Sequence, residues 1–181
     1  MLNPEKKRRE NIIEYVLYLF HTEDILRSLS LNLITVEEVL IEPEDLKVED
    51  KLTLKKRYEA MIEEMERQNL ENSGHIEEVY QIIGELSFVH NALLTKLQDQ
   101  SYEKLWKEAL PLIKELETKA NETAKNPIEI CFNGLYGVMV LKMKKQKVSE
   151  PTVAAMQTLS NLLKYLGKTY KEVLEGKLSL K

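Results

Sequence analysis

Apolar residues recur at three- and four-residue spacing along most of this chain, the pattern of helices that bury one face. The first such run predicts a helix from Pro4 to about Asn32. Three further long helices are predicted over about 51–72, 75–97 and 101–123. A fifth is predicted from Asn126, which can cap a helix and is followed by Pro127 at the first helical position. A sixth is predicted after Ser149, with Pro151 in its first turn.

Between the first two long helices the apolar pattern weakens. It predicts one short helix, Val36 to Ile41, and then an acidic connector over about 42–50. No run alternates as a strand does, and short connections favour antiparallel neighbours. We therefore expect an all-α bundle of about five or six mostly antiparallel helices, forming a single domain over residues 1–181.

Composition and charge exclude several classes of protein. A chain that is 43% hydrophobic and 31% charged is typical of a folded protein in water. The formal charge of −4 provides no general basic field, so nucleic-acid binding through Lys6–Arg9 ranks last. The apolar stretch of residues 128–141 is interrupted by polar residues and too short to span a bilayer. With no signal-peptide pattern, we expect a cytoplasmic protein without a membrane partner.

Three glycines within apolar helical patterns need an explanation, because each costs a helix about 1 kcal/mol relative to alanine. Gly134 and Gly137 lie in the fifth predicted helix, and Gly167 lies in the sixth. Either another helix packs very closely against them, or the notch makes room for a ligand. We favour close packing.

The best candidate polar site is the stretch HTEDILR, residues 21–27. Glu23 is predicted to point partly inward and needs a partner, which Arg27 can supply at four-residue spacing. Asp24 can pair with Arg27 at three-residue spacing. A local cluster of salt bridges is the favoured interpretation, ahead of a functional site.

Other candidate chemistry is sparse. His90 shares the apolar face of its helix, where a lone histidine is usually a hydrogen-bonded core residue. The single cysteine, Cys131, lies among apolar residues and is interpreted as a small buried side chain. No phosphate-binding glycine loop, nucleophile elbow or metal-ligand spacing occurs in the sequence. We expect no metal and no cofactor.

Four stretches together resemble a family of bacterial all-helical proteins classed as a domain of unknown function. They are NIIEYVLYLFHTEDILR, ELSFVHNALL, YEKLWKEALPLIKEL and NPIEICFNGLYGVMVLKMKKQKVSEPT. The resemblance covers nearly the whole chain and implies a helical fold in a bacterial cytoplasm, with no activity attached. The most distinctive matching positions are Glu23, Asp24, Arg27, His90, Pro111, Asn133, Gly134 and Gly137.

Two functional hypotheses from different classes follow. The first is a non-enzymatic helical protein that associates with itself, as a homodimer, or with an unidentified protein partner. The second is a small-ligand-binding protein or enzyme with a polar pocket inside the bundle. That pocket would be lined by Glu23, Asp24, Arg27, His90 and Asn133.

Overall fold

Helices make up all the regular structure in residues 4–120 and 126–180, which a computed structural model describes. The all-α class is therefore confirmed, but eight helices replace the expected five or six. They are α1 (Pro4–Glu10), α2 (Ile12–Ser28), α3 (Leu33–Val36), α4 (Val48–Arg67), α5 (Glu77–Thr95), α6 (Gln100–Ala120), α7 (Pro127–Met143) and α8 (Glu150–Leu174).

One additional helix arises because the first predicted helix is interrupted at Asn11. The Asn11 side-chain oxygen accepts a hydrogen bond from the Glu14 backbone N–H at 3.2 Å, as a capping residue does. Asparagine side chains compete in this way with the helical backbone pattern. The chain therefore ends α1 and starts α2 at this residue.

The connection between α2 and α4 is more structured than the sequence pattern predicts. Asn32 caps α3 by accepting a hydrogen bond from the Thr35 N–H at 3.0 Å. The predicted short helix at Val36–Ile41 is mostly a π-helical turn, Glu37–Ile41, which directly follows α3. Helix α4 begins at Val48, so the acidic connector is shorter than the predicted 42–50. The predicted end of α6, near Thr123, lies outside the described residues.

Two predicted helix starts are confirmed in detail. Asn126 accepts a hydrogen bond from the Ile128 N–H at 2.9 Å, and Pro127 occupies the first helical position of α7. Ser149 accepts a longer bond of 3.3 Å from the Thr152 N–H at the start of α8. Both helices begin where capping side chains satisfy otherwise unpaired backbone donors.

The chain divides into two compact units, and one of them is Tyr18–Tyr80. It contains the second part of α2, α3, the π-helical turn, α4 and the first turn of α5. Its core is apolar and comes from each of these elements. The buried apolar side chains are Leu19, Phe20, Leu26, Leu31, Val36, Ile41, Ile62, Met65, Ile76 and Val79.

The other unit consists of Met1–Leu17 and Gln81–Lys181. Helix α8 packs on both α6 and α7 within it. The Tyr165 hydroxyl donates to Asp99 Oδ2 at 2.7 Å beside the start of α6, whereas Met156 lines a groove with Leu116 near the end of α6. Helices α6 and α8 are therefore antiparallel. The single domain expected over residues 1–181 stays a prediction.

Candidate functional site

Glu23 on α2 is fully buried, and both of its carboxylate oxygens have partners within the Tyr18–Tyr80 unit. Oε1 accepts a hydrogen bond from the Ile76 backbone N–H at 2.9 Å. Oε2 lies 2.5 Å from Nδ1 of His75. A buried carboxylate is costly unless such partners replace its lost hydration. The partner is thus His75 and not Arg27, the residue that the sequence spacing favours.

His75 is the residue that sequence reasoning missed. Its ring stacks on Phe20 with centroids 3.8 Å apart, and the edge of Tyr80 approaches it at 6.0 Å. Because Oε1 of Glu23 already accepts from a backbone donor, a carboxylate at Glu23 makes Nδ1 of His75 the donor to Oε2. This fixes the ring orientation and leaves Nε2 on the opposite side of the ring.

Arg27 lies one helical turn beyond Glu23 and binds the segment that precedes His75, between α4 and α5. Its Nε donates to the Leu70 carbonyl at 2.9 Å, and its Nη2 donates to the Gly74 carbonyl. Its Nη1 donates to Asp24 at 2.9 Å, as the three-residue spacing predicts. We call Glu23, Arg27 and His75 the α2 cluster. It fastens residues 70–76, which belong to the connector between α4 and α5, to α2.

His90 belongs to a second polar group, in the unit that contains α6–α8. Its Nδ1 lies 2.7 Å from the Tyr102 hydroxyl, and its ring meets Trp106 edge-on at 4.5 Å. Burial lowers the pKa of His90 and raises that of Tyr102, so both side chains are neutral at pH 7. Nδ1 of His90 and the Tyr102 hydroxyl therefore share a hydrogen bond between two uncharged groups.

Cys131 lies close to this group and is fully buried. Burial raises the pKa of the Cys131 thiol to about 12, so almost no thiolate forms at neutral pH. With a neutral histidine and a protonated thiol, the group has the properties of a hydrogen-bonded core. Nothing in its electrostatics activates a nucleophile.

The five residues predicted to line a ligand pocket are distributed over both units. Glu23, Asp24 and Arg27 belong to Tyr18–Tyr80, and His90 and Asn133 belong to the other unit. Asp24 and Arg27 are brought together, while Glu23 contacts His75 instead. His90 is buried, whereas Asn133 is exposed on α7. The predicted pocket stays a prediction.

The three glycines have different surroundings. A Cβ on Gly134 would lie 2.8 Å from Cδ1 of Leu116 in α6, and one on Gly167 would lie 2.8 Å from Cγ1 of Ile13. Both backbones are therefore closely approached by side chains, as close packing requires. A Cβ on Gly137 would meet no described atom within 4 Å. Packing among the described residues therefore does not account for Gly137.

Two grooves flank the N-terminal half of α8, and Met156 contributes to both. The groove between α7 and α8 has a volume of about 270 Å³ and is lined by Leu135, Val138, Met139, Lys142, Val153, Met156, Gln157 and Ser160. The groove between α6 and α8 has a volume of about 260 Å³ and includes Glu115 and Lys119 on its rim. None of the five predicted pocket residues lines either groove.

Helix α7 changes character at Asn133. Its first part is buried through Ile128, Ile130, Cys131 and Phe132. The following residues 134–143, GLYGVMVLKM, contain one charged side chain, and none of them is buried. Leu141 is 37% exposed and Met143 48%. A helix with apolar residues on all sides is normally enclosed by other structure. We call residues 134–143 the open half of α7.

Two other kinds of site are absent from the described residues. No group of three or more histidine, cysteine, aspartate or glutamate side chains there is arranged to hold a metal ion. Of the helices in residues 4–120 and 126–180, none combines the length and apolar character needed to cross a bilayer.

Comparison with known proteins identifies the family of this helical chain. The sequence model of the family described as "Domain of unknown function (DUF4924)" matches residues 1–177. The chain belongs to this family. Neither the search of curated proteins nor the search of solved structures returned a match. The DUF4924 membership confirms the resemblance to a family classed as a domain of unknown function and brings no activity with it.

Proposed function

We propose that this protein acts by association with a second copy of itself, through the open half of α7, and not as an enzyme. One observation carries the proposal: residues 134–143 are apolar apart from Lys142, and none is buried. Burying apolar surface is worth about 25 cal/mol per Å². Contiguous apolar surface on a folded chain typically marks an interaction site.

The polar groups of the chain support the same proposal. Glu23 and Arg27 direct their donors and acceptors at the backbone of residues 70–76 or at neighbouring side chains. His90 and Tyr102 satisfy each other in a buried environment that keeps both neutral. Groups used in this way hold the fold together and do not offer a reacting centre to a substrate.

Neighbouring surface extends the open half of α7. Val153, in the first turn of α8, is 43% exposed and lines the α7–α8 groove together with Met139. Apolar surface beside α7 is therefore not confined to the open half. The proposal includes a cytoplasmic, bacterial setting, which the family resemblance supports.

Native mass spectrometry tests the proposal, because it reports the number of subunits and any retained small molecule in one spectrum. At micromolar concentration we expect twice the chain mass of 21.1 kDa and no adduct. Val140→Lys places a charge in the open half and should yield monomers. Leu174→Lys is the matched control: Leu174 is 68% exposed but lies outside α7, so this variant should remain dimeric.

A monomeric wild-type protein would contradict the proposal. So would a dimer that Val140→Lys leaves intact, since the interface would then lie elsewhere. A monomer that retains a small molecule of defined mass would favour the alternative, a ligand-binding protein.

A further inference from the structure

The outward face of α7 carries a stripe of residues at three- and four-residue spacing. Successive helical residues are rotated by about 100°, so positions 129, 133, 136/137, 140 and 144 lie along one side. The groove shared with α8 is lined from the opposite side of α7, by Leu135, Val138, Met139 and Lys142. Asn133, Gly137 and Lys144 are exposed, while Glu129 and Val140 are half-buried.

This stripe is symmetric in sequence about the midpoint between Tyr136 and Gly137. Glu129 and Lys144 lie equally far from that midpoint, on opposite sides. Asn133 and Val140 are equidistant from it in the same way. The two ends of the stripe thus carry opposite charges, and uncharged residues separate them.

On the basis of the proposed self-association, we infer that two copies pack α7 against α7 in antiparallel orientation, with the two-fold axis passing between Tyr136 and Gly137. Glu129 of each copy then faces Lys144 of the other, which forms two equivalent ion pairs. Antiparallel packing also brings the positive N-terminal end of each helix near the negative C-terminal end of its partner. A two-fold interface of this kind closes on itself, so assembly stops at the dimer.

Gly137 has a role in this arrangement that packing within the chain does not provide. The space beside its Cα is open, with no described atom within 4 Å of a Cβ placed there. Across the two-fold axis this space faces position 136 of the second copy. The absent side chain allows the two helix backbones to approach closely at the centre of the interface.

Parallel packing of the same stripe is disfavoured by its charges. Glu129 would then face Glu129 of the other copy, and Lys144 would face Lys144. Like charges placed opposite each other weaken association, whereas opposite charges strengthen it. The sign pattern along the stripe therefore selects the antiparallel arrangement.

Charge exchange tests the ion pairs. Glu129→Lys and Lys144→Glu each replace two attractive contacts per dimer with two repulsive ones, so each should weaken dimerisation about tenfold at low salt. The double variant restores opposite charges and should return the dissociation constant to within about threefold of wild type. Lys164→Glu, at an exposed position of α8, is the control and should leave the constant unchanged. A double variant as weak as the two single variants would overturn the inference.

Cross-linking through introduced cysteines tests the register. A mixture of Asn133→Cys and Val140→Cys chains should form a disulfide-linked dimer on mild oxidation, because these positions face each other. Either variant alone should not, since identical positions lie about 10 Å apart along the axis, beyond disulfide reach. Linkage in the separate variants, with no disulfide between the two different variants in the mixture, would indicate parallel packing, so the register would be wrong while self-association stands. A monomeric wild-type protein would instead contradict the proposed function itself.

Discussion

The two parts of α7 are similar in composition and opposite in burial. Ile128, Ile130, Cys131 and Phe132 are enclosed, whereas the ten residues that follow Asn133 are not. Both parts are apolar on more than one side of the helix. The two parts therefore differ in their neighbours. Surrounding helices enclose the first part, whereas they contact the open half on one side only.

This difference shows what an apolar sequence can and cannot specify. Apolar character indicates that a surface is more stable away from water, but it does not indicate which structure covers it. For the first part of α7 the covering structure belongs to the same chain. For the open half we propose that it belongs to a second copy.

The largest expected difference between the two parts is in thiol reactivity. The pKa of the Cys131 thiol is raised to about 12 by burial, so its thiolate fraction rises only as the pH approaches that value. A thiol introduced as Val140→Cys should have an ordinary pKa. At pH 8 in dilute solution, alkylation followed by mass spectrometry should modify position 140 at least about a hundredfold faster than Cys131. Similar alkylation rates at the two positions would contradict the proposed difference in burial between the two parts of α7.

Truncation of one apolar side chain in each part should separate their contributions to folding. Phe132 is fully buried, so Phe132→Ala should lower the free energy of unfolding by about 4 kcal/mol. Val140 is half-buried, and Val140→Ala should cost about 1 kcal/mol or less. Urea unfolding monitored by far-ultraviolet circular dichroism measures both. Equal losses would mean that the open half is as well packed as the first part.

The contrast extends to a charged residue, because Glu23 is as fully buried as Phe132. Glu23→Ala leaves the Ile76 N–H and His75 without their partner and should lower the free energy of unfolding by about 3 kcal/mol. Asp24→Ala is the neighbouring control. Its side chain is half exposed, so the loss should stay below about 1 kcal/mol. The same unfolding measurement applies, and an unchanged stability in Glu23→Ala would show that the α2 cluster does not hold the fold.

The smallest expected effect distinguishes the two glycines of α7. Alanine at Gly137 meets no described atom and should raise the free energy of unfolding by up to about 1 kcal/mol, measured at a concentration low enough to keep the protein monomeric. Alanine at Gly134 should gain less, because Leu116 must move to admit the new methyl group. A larger gain at Gly134 than at Gly137 would reverse the comparison.

Local signals along the chain predicted much of the fold. Periodic apolar residues located the long helices, and two of the starts were located by Asn126 with Pro127 and by Pro151. The break at Asn11 was missed because its side chain ends one helix and starts another without interrupting the apolar pattern. Apolar periodicity and capping residues are both signals that extend over only a few residues. A helix boundary made by one isolated polar side chain, as at Asn11, is therefore the hardest to predict from them.

Local signals in the sequence did not predict the contacts between distant parts of the chain. His75 lies 52 residues from Glu23, so helical spacing favoured Arg27 as the partner. The sequence placed Asn133, Gly134 and Gly137 close together on one helix, but only the structure distinguishes the packed glycine from the open one. Spacing identifies neighbours within a helix, whereas partners between helices depend on how the helices pack.

The most direct test of the central claim is the alkylation rate of Val140→Cys measured over a range of protein concentrations. If a second copy covers the open half of α7, the rate at position 140 should fall as the concentration rises through the dissociation constant. Cys131 should remain slow at every concentration and serves as the internal control. A rate at position 140 that is the same in dilute and concentrated solution would contradict the account.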